Sequence, residues 1–133
     1  MSGPGLSVIV KRVLVIDDAS LVRMYYRDIL LGAGYAVDEA LNGLEGLEKL
    51  LTEPADLVIV DINMPMMDGM TFLRALRRQA SPVATTPALI TSTEAKGEDV
   101  ELARAAGANF YLVKPVARET LLTYAALLCG SPA

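Results

Sequence analysis

Three aspartates are the residues whose type and position first suggest chemistry. Asp17 and Asp18 stand together after one short apolar run, and Asp61 stands directly after another. Carboxylates that lie close together repel one another, and they stay ionised together only when a cation or a lysine offsets their charge. An all-oxygen ligand set of this kind suits Mg²⁺, with the backbone carbonyl of Asn63 as a further ligand. We therefore expect Asp17, Asp18, Asp61 and Asn63 to form a magnesium site.

Two other polar residues follow two further apolar runs. Ser92 follows residues 88–91, and Lys114 follows residues 110–113 and precedes Pro115. Taken one at a time, such residues are more often turn residues, helix caps or solvated side chains than parts of a site. Capping gives no reason for acids, a hydroxyl and a lysine to follow four separate runs in turn. The pattern favours one acidic cleft in which Lys114 supplies a fixed positive charge.

These residues need a scaffold that brings distant parts of the chain together. Short β-branched runs predict strands, and the stretches between them, with apolar residues three or four positions apart, predict helices. Strands are expected at residues 13–16, 35–39, 56–60, 88–91 and 110–113, each followed by a helix. Such alternation predicts an α/β fold, a doubly wound five-stranded parallel sheet of order 2-1-3-4-5 with five helices on its two faces. In this architecture ligands bind at the carboxyl ends of strands 1 and 3, where the aspartates stand.

Individual helix positions are also predicted from the pattern. Ser20 is expected to cap the first helix, and Leu21 and Tyr25 belong to the apolar stripe that should face the core. In the third helix Phe72 belongs to the apolar face, and Arg77 is expected to point outward into solvent. These assignments depend on helical period alone, because a sequence shows no tertiary contact.

The composition excludes several classes of function. The 133-residue chain has no histidine, which excludes a Ser-His-Asp or Cys-His catalytic site, histidine-ligated zinc and a phosphohistidine of its own. The 12 basic and 16 acidic residues give a net charge of −4, so direct binding to nucleic acid is not expected. No apolar run reaches the roughly 18 residues of a membrane span. With one cysteine, Cys129, these features favour a cytoplasmic protein that does not insert into a membrane.

The chain is predicted to form a single domain. Residues 11–129 hold the five strand–helix units and would be that domain, with a flexible N-terminal extension at residues 1–10 and a C-terminal tail at residues 130–133. The tail is too short for a helix-turn-helix, so no output domain of that kind is expected within this sequence.

Four stretches carry a family resemblance: VLVIDDAS, DLVIVDINMPMMDG, PALITSTEA and AGANFYLVKP. They resemble the receiver domains of two-component response regulators, in particular the single-domain, CheY-like type, from about residue 12 to residue 128. The resemblance implies a flavodoxin-like fold and Mg²⁺ as cofactor, with Asp61 as the acceptor of a phosphoryl group from a sensor histidine kinase or a histidine phosphotransfer protein. Lys114, Ser92 and the cation would stabilise the transferred phosphoryl group, and the same site would later hydrolyse the aspartyl phosphate.

The resemblance also implies a conformational switch. Ser92 is expected to hydrogen-bond the phosphoryl group, and Tyr111 is expected to move from an exposed to a buried rotamer. The face formed by the fourth helix, the fifth strand and the fifth helix would change, and a downstream protein would bind there. Thr91 and Thr93 flank Ser92, and alignment with the family selects Ser92 as the switch hydroxyl.

Further expectations follow from the same resemblance. Asn63 and Glu94 stand at positions whose side chains modulate dephosphorylation in relatives. The peptide bond between Lys114 and Pro115 is expected to be cis, which costs little before proline. A receiver of this kind phosphorylates itself from a phosphodonor and dephosphorylates itself, and it is not a multiple-turnover enzyme for a separate metabolite.

Two other interpretations are open. A receiver-like chain can serve as a phosphorylation-independent interaction module, although the presence of all five reactive positions argues against that role. A flavin- or nucleotide-binding protein can share the topology, but the GxG at residues 32–34 follows a helix instead of a strand, and no GxxxxGK[ST] occurs. Whether the protein is a dissociable messenger or a phosphoryl sink in a relay is also open.

Overall fold

The fold is an alternating succession of strands and helices. The structure is a computed structural model that describes residues 10–94 and 96–132. Its elements are β1 (Arg12–Ile16), α1 (Ser20–Gly32), β2 (Ala36–Ala40), α2 (Gly43–Thr52), β3 (Leu57–Asp61), α3 (Gly69–Arg77), β4 (Ala88–Ser92), α4 (Gly97–Ala106), β5 (Phe110–Val113) and α5 (Arg118–Cys129). A short 3₁₀ helix, Val83–Thr85, lies between α3 and β4. The predicted alternation is therefore confirmed.

The strands form one parallel sheet of order β2-β1-β3-β4-β5, as predicted. Ile16 pairs with Val60 and Asp61 pairs with Thr91, so β1, β3 and β4 end side by side. Ser92, the last residue of β4, pairs with Val113, the last residue of β5, so these two strands also end side by side. The register thus brings the carboxyl ends of four strands to one edge of the sheet, the edge at which ligands bind in doubly wound folds.

The three central strands are apolar on both faces because the sheet is covered on both sides. All residues of β3 and β4 are buried, and so are residues 13–16 of β1. Successive side chains enter two separate cores. One core lies under α2, α3 and α4 and contains Phe72, and the other lies under α1 and α5 and contains Tyr26.

The structure corrects two predictions about α1. Ser20 is the first residue of the helix, Ala19 occupies the capping position, and no side chain caps this end. Leu21 is 76% exposed and Tyr25 is also exposed, whereas Tyr26 is fully buried. The buried face of α1 contains Tyr26, Ile29 and Leu30, and the Tyr25 hydroxyl donates a hydrogen bond to the Val116 carbonyl, 2.7 Å away.

The prediction that Arg77 points into solvent is also wrong. Its guanidinium donates hydrogen bonds to the carbonyl oxygens of Ala84, Thr86 and Gly107 at 2.7 to 3.1 Å, and to the side-chain oxygen of Asn109 at 3.2 Å. These acceptors belong to connecting segments, whose carbonyl groups need partners from outside a strand ladder or helix. Burial lowers the pKa of the guanidinium from its ordinary value.

The ends of several strands differ from the predicted ends by one residue, and two of the described peptide bonds are cis. Strand β2 begins at Ala36 instead of residue 35, and Asp61 and Ser92 are the last residues of their strands. The Lys114-Pro115 peptide bond is cis, as expected, and so is the bond between Ser81 and Pro82. Of the predicted extension at residues 1–10, residues 1–9 lie outside the described residues, so the division of the chain stays a prediction. None of the helices in residues 10–94 and 96–132 has the length and apolar character that a membrane crossing requires.

Candidate functional site

The three predicted aspartates converge at the carboxyl edge of the sheet. One carboxylate oxygen from each of Asp17, Asp18 and Asp61 lies within 4.8 Å of the others. Asp17 and Asp61 are 1% and 7% exposed, whereas Asp18 is open to solvent. The cluster is therefore buried on the side of Asp17 and Asp61 and open to solvent on the side of Asp18. All its ligand atoms are oxygens, a set that suits a partly hydrated divalent cation.

Lys114 lies beside this cluster and offsets part of its negative charge. Its ammonium lies 2.8 Å from Oδ2 of Asp17 and 3.1 Å from Oδ1 of Asp61. Burial by itself would lower the pKa of Lys114, but the hydrogen bonds and charges of Asp17 and Asp61 outweigh it and raise that pKa. The lysine is therefore a permanent positive charge near neutral pH.

The environment of Asp61 disfavours the ionised form of its carboxyl group. Burial raises its pKa, the charge of Asp17 raises it further and Asp18 adds a smaller effect, while Lys114 acts in the opposite direction. One lysine thus compensates incompletely for three acids. A divalent cation in contact with these oxygens would supply the missing positive charge, so the donor set fits Mg²⁺.

The backbone of Asp17 is held by several hydrogen bonds. Its N–H donates to the Ala40 carbonyl at the end of β2, 3.1 Å away. The Ala19 N–H donates to Oδ1 of Asp17 at 2.9 Å, and the Arg23 guanidinium donates to the Asp17 carbonyl at 2.7 Å. Hydrogen bonds to β2, to the β1–α1 connection and to α1 therefore fix the position of this aspartate.

The connection from β3 to α3 folds back over the end of β3 and contains Asn63. The Gly69 N–H donates to the Ile62 carbonyl at 3.0 Å, which closes the segment into a compact loop. A Cβ at Gly69 would lie 2.6 Å from the Asp61 carbonyl oxygen, so glycine is required at this close approach. Asp68 accepts a hydrogen bond from the Thr71 N–H and caps α3. Asn63 lies in this loop, two residues after Asp61, and its side chain is exposed.

A chain of hydrogen bonds connects Ser92, Glu94 and Tyr111. The Ser92 hydroxyl is buried at the end of β4 and accepts from the Glu94 N–H at 3.0 Å. The Tyr111 hydroxyl donates to the Glu94 carbonyl at 2.8 Å, and its ring is half-buried. Thr93, which neighbours Ser92, is exposed. Both predicted switch residues are strand residues that bond the backbone of Glu94 in the β4–α4 loop.

Two residues near the site were missed by sequence reasoning. Arg23 reads in the sequence as one more charged residue on a helix surface, and no motif marks it. Tyr26 is buried beside the site and lines, with Lys114, a mostly apolar cavity of about 340 Å³. Burial raises the pKa of the Tyr26 hydroxyl, and the charge of Lys114 lowers it in part. Their orientation depends on the rotation of α1, which helical period alone did not fix.

The fold and the site together define a class of protein. Residues 13–126 match the model of the response regulator receiver domain, and the chain belongs to this family. Receiver domains generally bind Mg²⁺ at an acidic pocket, and the aspartate cluster is a pocket of this kind. They act together with a histidine kinase or phosphotransfer partner and a downstream target.

Two chemotaxis proteins are similar to this chain over nearly the whole of their length. Chemotaxis protein CheY of Bacillus subtilis is 37% identical over 114 residues, which is 84% of this chain and 91% of that protein. The solved structure of chemotaxis response regulator CheY4 of Vibrio cholerae is 38% identical with a TM-score of 0.85, and the match covers 90% of this chain and 99% of that one. The prediction of a CheY-like receiver domain of two-component signalling is confirmed.

A third relative shows the same domain inside a longer protein. The protein-glutamate methylesterase/protein-glutamine glutaminase of Archaeoglobus fulgidus is 44% identical over 106 residues, or 78% of this chain. The match spans 30% of the length of that protein. The similarity therefore concerns the receiver and not the activities in the name of that relative.

Proposed function

We propose that this receiver accepts a phosphoryl group on Asp61 beside a bound Mg²⁺ and later releases the group to water. The observation that supports this most strongly is the convergence of carboxylate oxygens of Asp17, Asp18 and Asp61 within 4.8 Å of one another, with the ammonium of Lys114 bound to Asp17 and Asp61. Asp17, Asp18, Asp61 and the Asn63 carbonyl would hold the cation, which when bound would neutralise charge on the phosphoryl oxygens.

Asp61 acts as the nucleophile in this proposal. One of its carboxylate oxygens forms a bond to phosphorus while the bond from phosphorus to the imidazole nitrogen of a phosphohistidine breaks. The electron pair of the broken bond stays on the imidazole, which takes up a proton. With acetyl phosphate as donor, the acetate oxygen leaves instead. Lys114 faces the phosphoryl oxygens with its positive charge, and water later attacks phosphorus and regenerates the Asp61 carboxylate.

Ser92 and Tyr111 would convert phosphorylation into a change of surface. The Ser92 hydroxyl, which now accepts from the Glu94 N–H, would instead donate to a phosphoryl oxygen and draw the β4–α4 loop toward the site. Tyr111 is bonded to the Glu94 carbonyl in the same loop, so it would rotate inward as the loop moves. Asn63 and Glu94 are both exposed and would modulate the attack of water.

The partners of this proposal bind at two places. A sensor histidine kinase or histidine phosphotransfer protein would present its phosphohistidine to the acidic edge of the sheet. A downstream protein would bind the α4-β5-α5 face, where exposed apolar side chains include Leu102, Phe110, Val113 and Leu127. The exchange would take place in the cytoplasm, without membrane insertion and without direct contact to nucleic acid, in keeping with the net charge of −4.

Labelling with a small phosphodonor tests the proposal. Acetyl phosphate and Mg²⁺ should add one phosphoryl group to the wild-type protein, detected by intact mass, and a chelator should abolish the addition. Asp61→Asn should remain unlabelled. Asp68→Asn is the matched control, because Asp68 is an exposed acid of the same loop and asparagine can also cap α3. An unlabelled wild-type protein, or equal labelling of Asp61→Asn, would contradict the proposal.

A further inference from the structure

The Arg23 guanidinium connects the site to the edge of the sheet. Arg23 lies in the first turn of α1, and its side chain is 13% exposed. Its Nη1 donates to the Asp17 carbonyl at 2.7 Å, and its Nε donates to Oε1 of Glu39 on β2 at 3.1 Å. The side chain therefore has a fixed orientation, since one carboxylate and one carbonyl hold its planar group at two points.

This contact fixes the peptide unit that joins the two neighbouring aspartates. The Asp17 carbonyl oxygen lies in the plane of the peptide bond to Asp18, so holding that oxygen holds the plane. The other polar groups of Asp17 are already bound, by Ala40, by Ala19 and by Lys114. Asp18 is exposed, and the orientation of this peptide sets the direction in which its side chain leaves the backbone.

We propose that Arg23 is a positioning residue for the cation ligands Asp17 and Asp18, and that Glu39 in turn orients Arg23. The proposal rests on the proposed function, since it concerns the same Mg²⁺ site. The bonds of Arg23 go to Glu39 and to the Asp17 carbonyl and not to the Asp61 carboxylate, so it would act through the main chain. Outer contacts of this kind affect metal affinity when they fix the orientation of a ligand.

Electrostatics and positioning predict effects of opposite sign. If Arg23 influenced the site by its charge alone, its removal would strengthen the binding of a cation to the aspartates, because like charges repel. If Arg23 fixes the ligands, its removal weakens Mg²⁺ binding. The direction of the change in affinity therefore separates the two effects.

Arg27 offers a matched control on the same helix. Its Nη1 donates to the other oxygen of Glu39, Oε2, at 3.2 Å, and no contact joins it to Asp17 in the described part of the chain. Arg23→Ala and Arg27→Ala each remove one guanidinium from α1 and one bond to Glu39. Arg23 alone bonds the Asp17 carbonyl, whereas Arg27 is more exposed and has its other contact with Asp28, 3.5 Å from its Nε.

The test is a titration of each protein with Mg²⁺ alone, followed by calorimetry or tyrosine fluorescence at constant ionic strength. Arg23→Ala should raise the Mg²⁺ dissociation constant roughly tenfold, the lower end of the effect of such outer contacts. Arg27→Ala should change it less than twofold. Arg23→Lys should give an intermediate value, because lysine keeps the charge but cannot bond both acceptors as a fork.

Urea unfolding of each variant shows whether it is folded during the titration. If Arg23→Ala does not fold, the comparison of Arg23→Lys with Arg27→Lys replaces it, with weaker Mg²⁺ binding expected in the first alone. Unchanged or tighter binding in the Arg23 variants, or equal weakening in the Arg27 variants, would overturn the positioning role. Failure of the wild-type protein to bind Mg²⁺ would overturn the proposed function as well, a result distinct from equal affinities among variants.

Discussion

Asp61 is buried next to a second carboxylate, an arrangement that disfavours folding when both groups are ionised. Its raised pKa has burial as the largest cause and the charge of Asp17 as the next. Lys114 bonds both acids, so it remains paired with Asp17 when Asp61 is neutralised. The cost of an unpaired buried lysine therefore does not arise in an Asp61 variant.

At the residue scale, Asp61→Asn should be more stable than the wild-type protein in metal-free buffer near neutral pH. We expect a gain in the free energy of unfolding, because burial and the charge of Asp17 make the ionised Asp61 carboxylate unfavourable in the folded state. The pKa of Asp61 is higher in the folded state than in the unfolded state, where it is about 3.9. Ionisation of Asp61 therefore destabilises the fold to its full extent at pH values above the folded-state pKa, and it has no effect at pH values below the unfolded-state pKa. The difference should therefore shrink as pH falls through the folded-state pKa.

Urea unfolding at a series of pH values with a chelator present measures this difference. Asp56→Asn is a suitable comparison, because Asp56 is an exposed acid at the opposite edge of the sheet. A wild-type protein that is the more stable one near neutral pH, or a difference that does not depend on pH, would contradict the expectation.

Residues of the site were predictable to the extent that strand ends determine their positions. Asp17, Asp61 and Lys114 each follow an apolar strand, and parallel strands end at a common edge, so their convergence follows from the pattern. Arg23 and Tyr26 lie on a helix, where a side chain's environment depends on rotation about the helix axis. That rotation is set by tertiary contacts such as the bond from Tyr25 to Val116, which no local pattern contains.

At the element scale, Arg77 joins α3 to the segment before β4 and to the turn between α4 and β5. The turn includes Gly107, which ends α4 with a φ of 115° in the left-handed region. A Cβ there would lie 2.7 Å from Cγ of Arg77. Gly107 thus combines a backbone conformation that favours glycine with a close approach to another side chain.

Replacement of Gly107 by alanine should destabilise the fold. The left-handed conformation alone costs roughly 1–2 kcal/mol for a residue with a Cβ, and displacement of Arg77 from its carbonyl acceptors adds to this cost. Gly97→Ala is the matched control at the other end of α4, since a Cβ at Gly97 meets no atom within 4 Å. Urea unfolding of both variants measures the difference, and equal stabilities would show that the turn tolerates a side chain.

The bounds of the elements show where sequence patterns lose precision. The pattern placed Asp61 and Ser92 just after their strands, but ladder pairing with β4 and β5 extends each strand by one residue. Ladder pairing is a property of two strands in contact and does not depend on the polarity of the side chain. Both side chains are consequently held by the sheet instead of by loops, which gives the site a rigid base.

For the whole molecule, the pattern of alternation determined the topology because few arrangements satisfy it. Strands that are apolar on both faces require helices on both sides, and right-handed crossovers then restrict the strand order. The two cores meet this requirement, with β1, β3 and β4 between them. The acidic cluster stands at the end of this central group, so an ion bound there contacts the most buried part of the sheet through Asp17 and Asp61.

Mg²⁺ should therefore stabilise the entire fold and not a single loop. A ligand that binds the folded state alone adds RT ln(1 + [L]/Kd) to the free energy of unfolding, about 1.4 kcal/mol at ten times the dissociation constant. The gain should appear in urea unfolding at constant ionic strength, with NaCl as the salt control. Asp18→Asn removes an exposed carboxylate of the proposed Mg²⁺ site without disturbing either core and should lose most of the gain. An undiminished gain in Asp18→Asn would mean that Mg²⁺ stabilises the protein from a place other than the aspartate cluster.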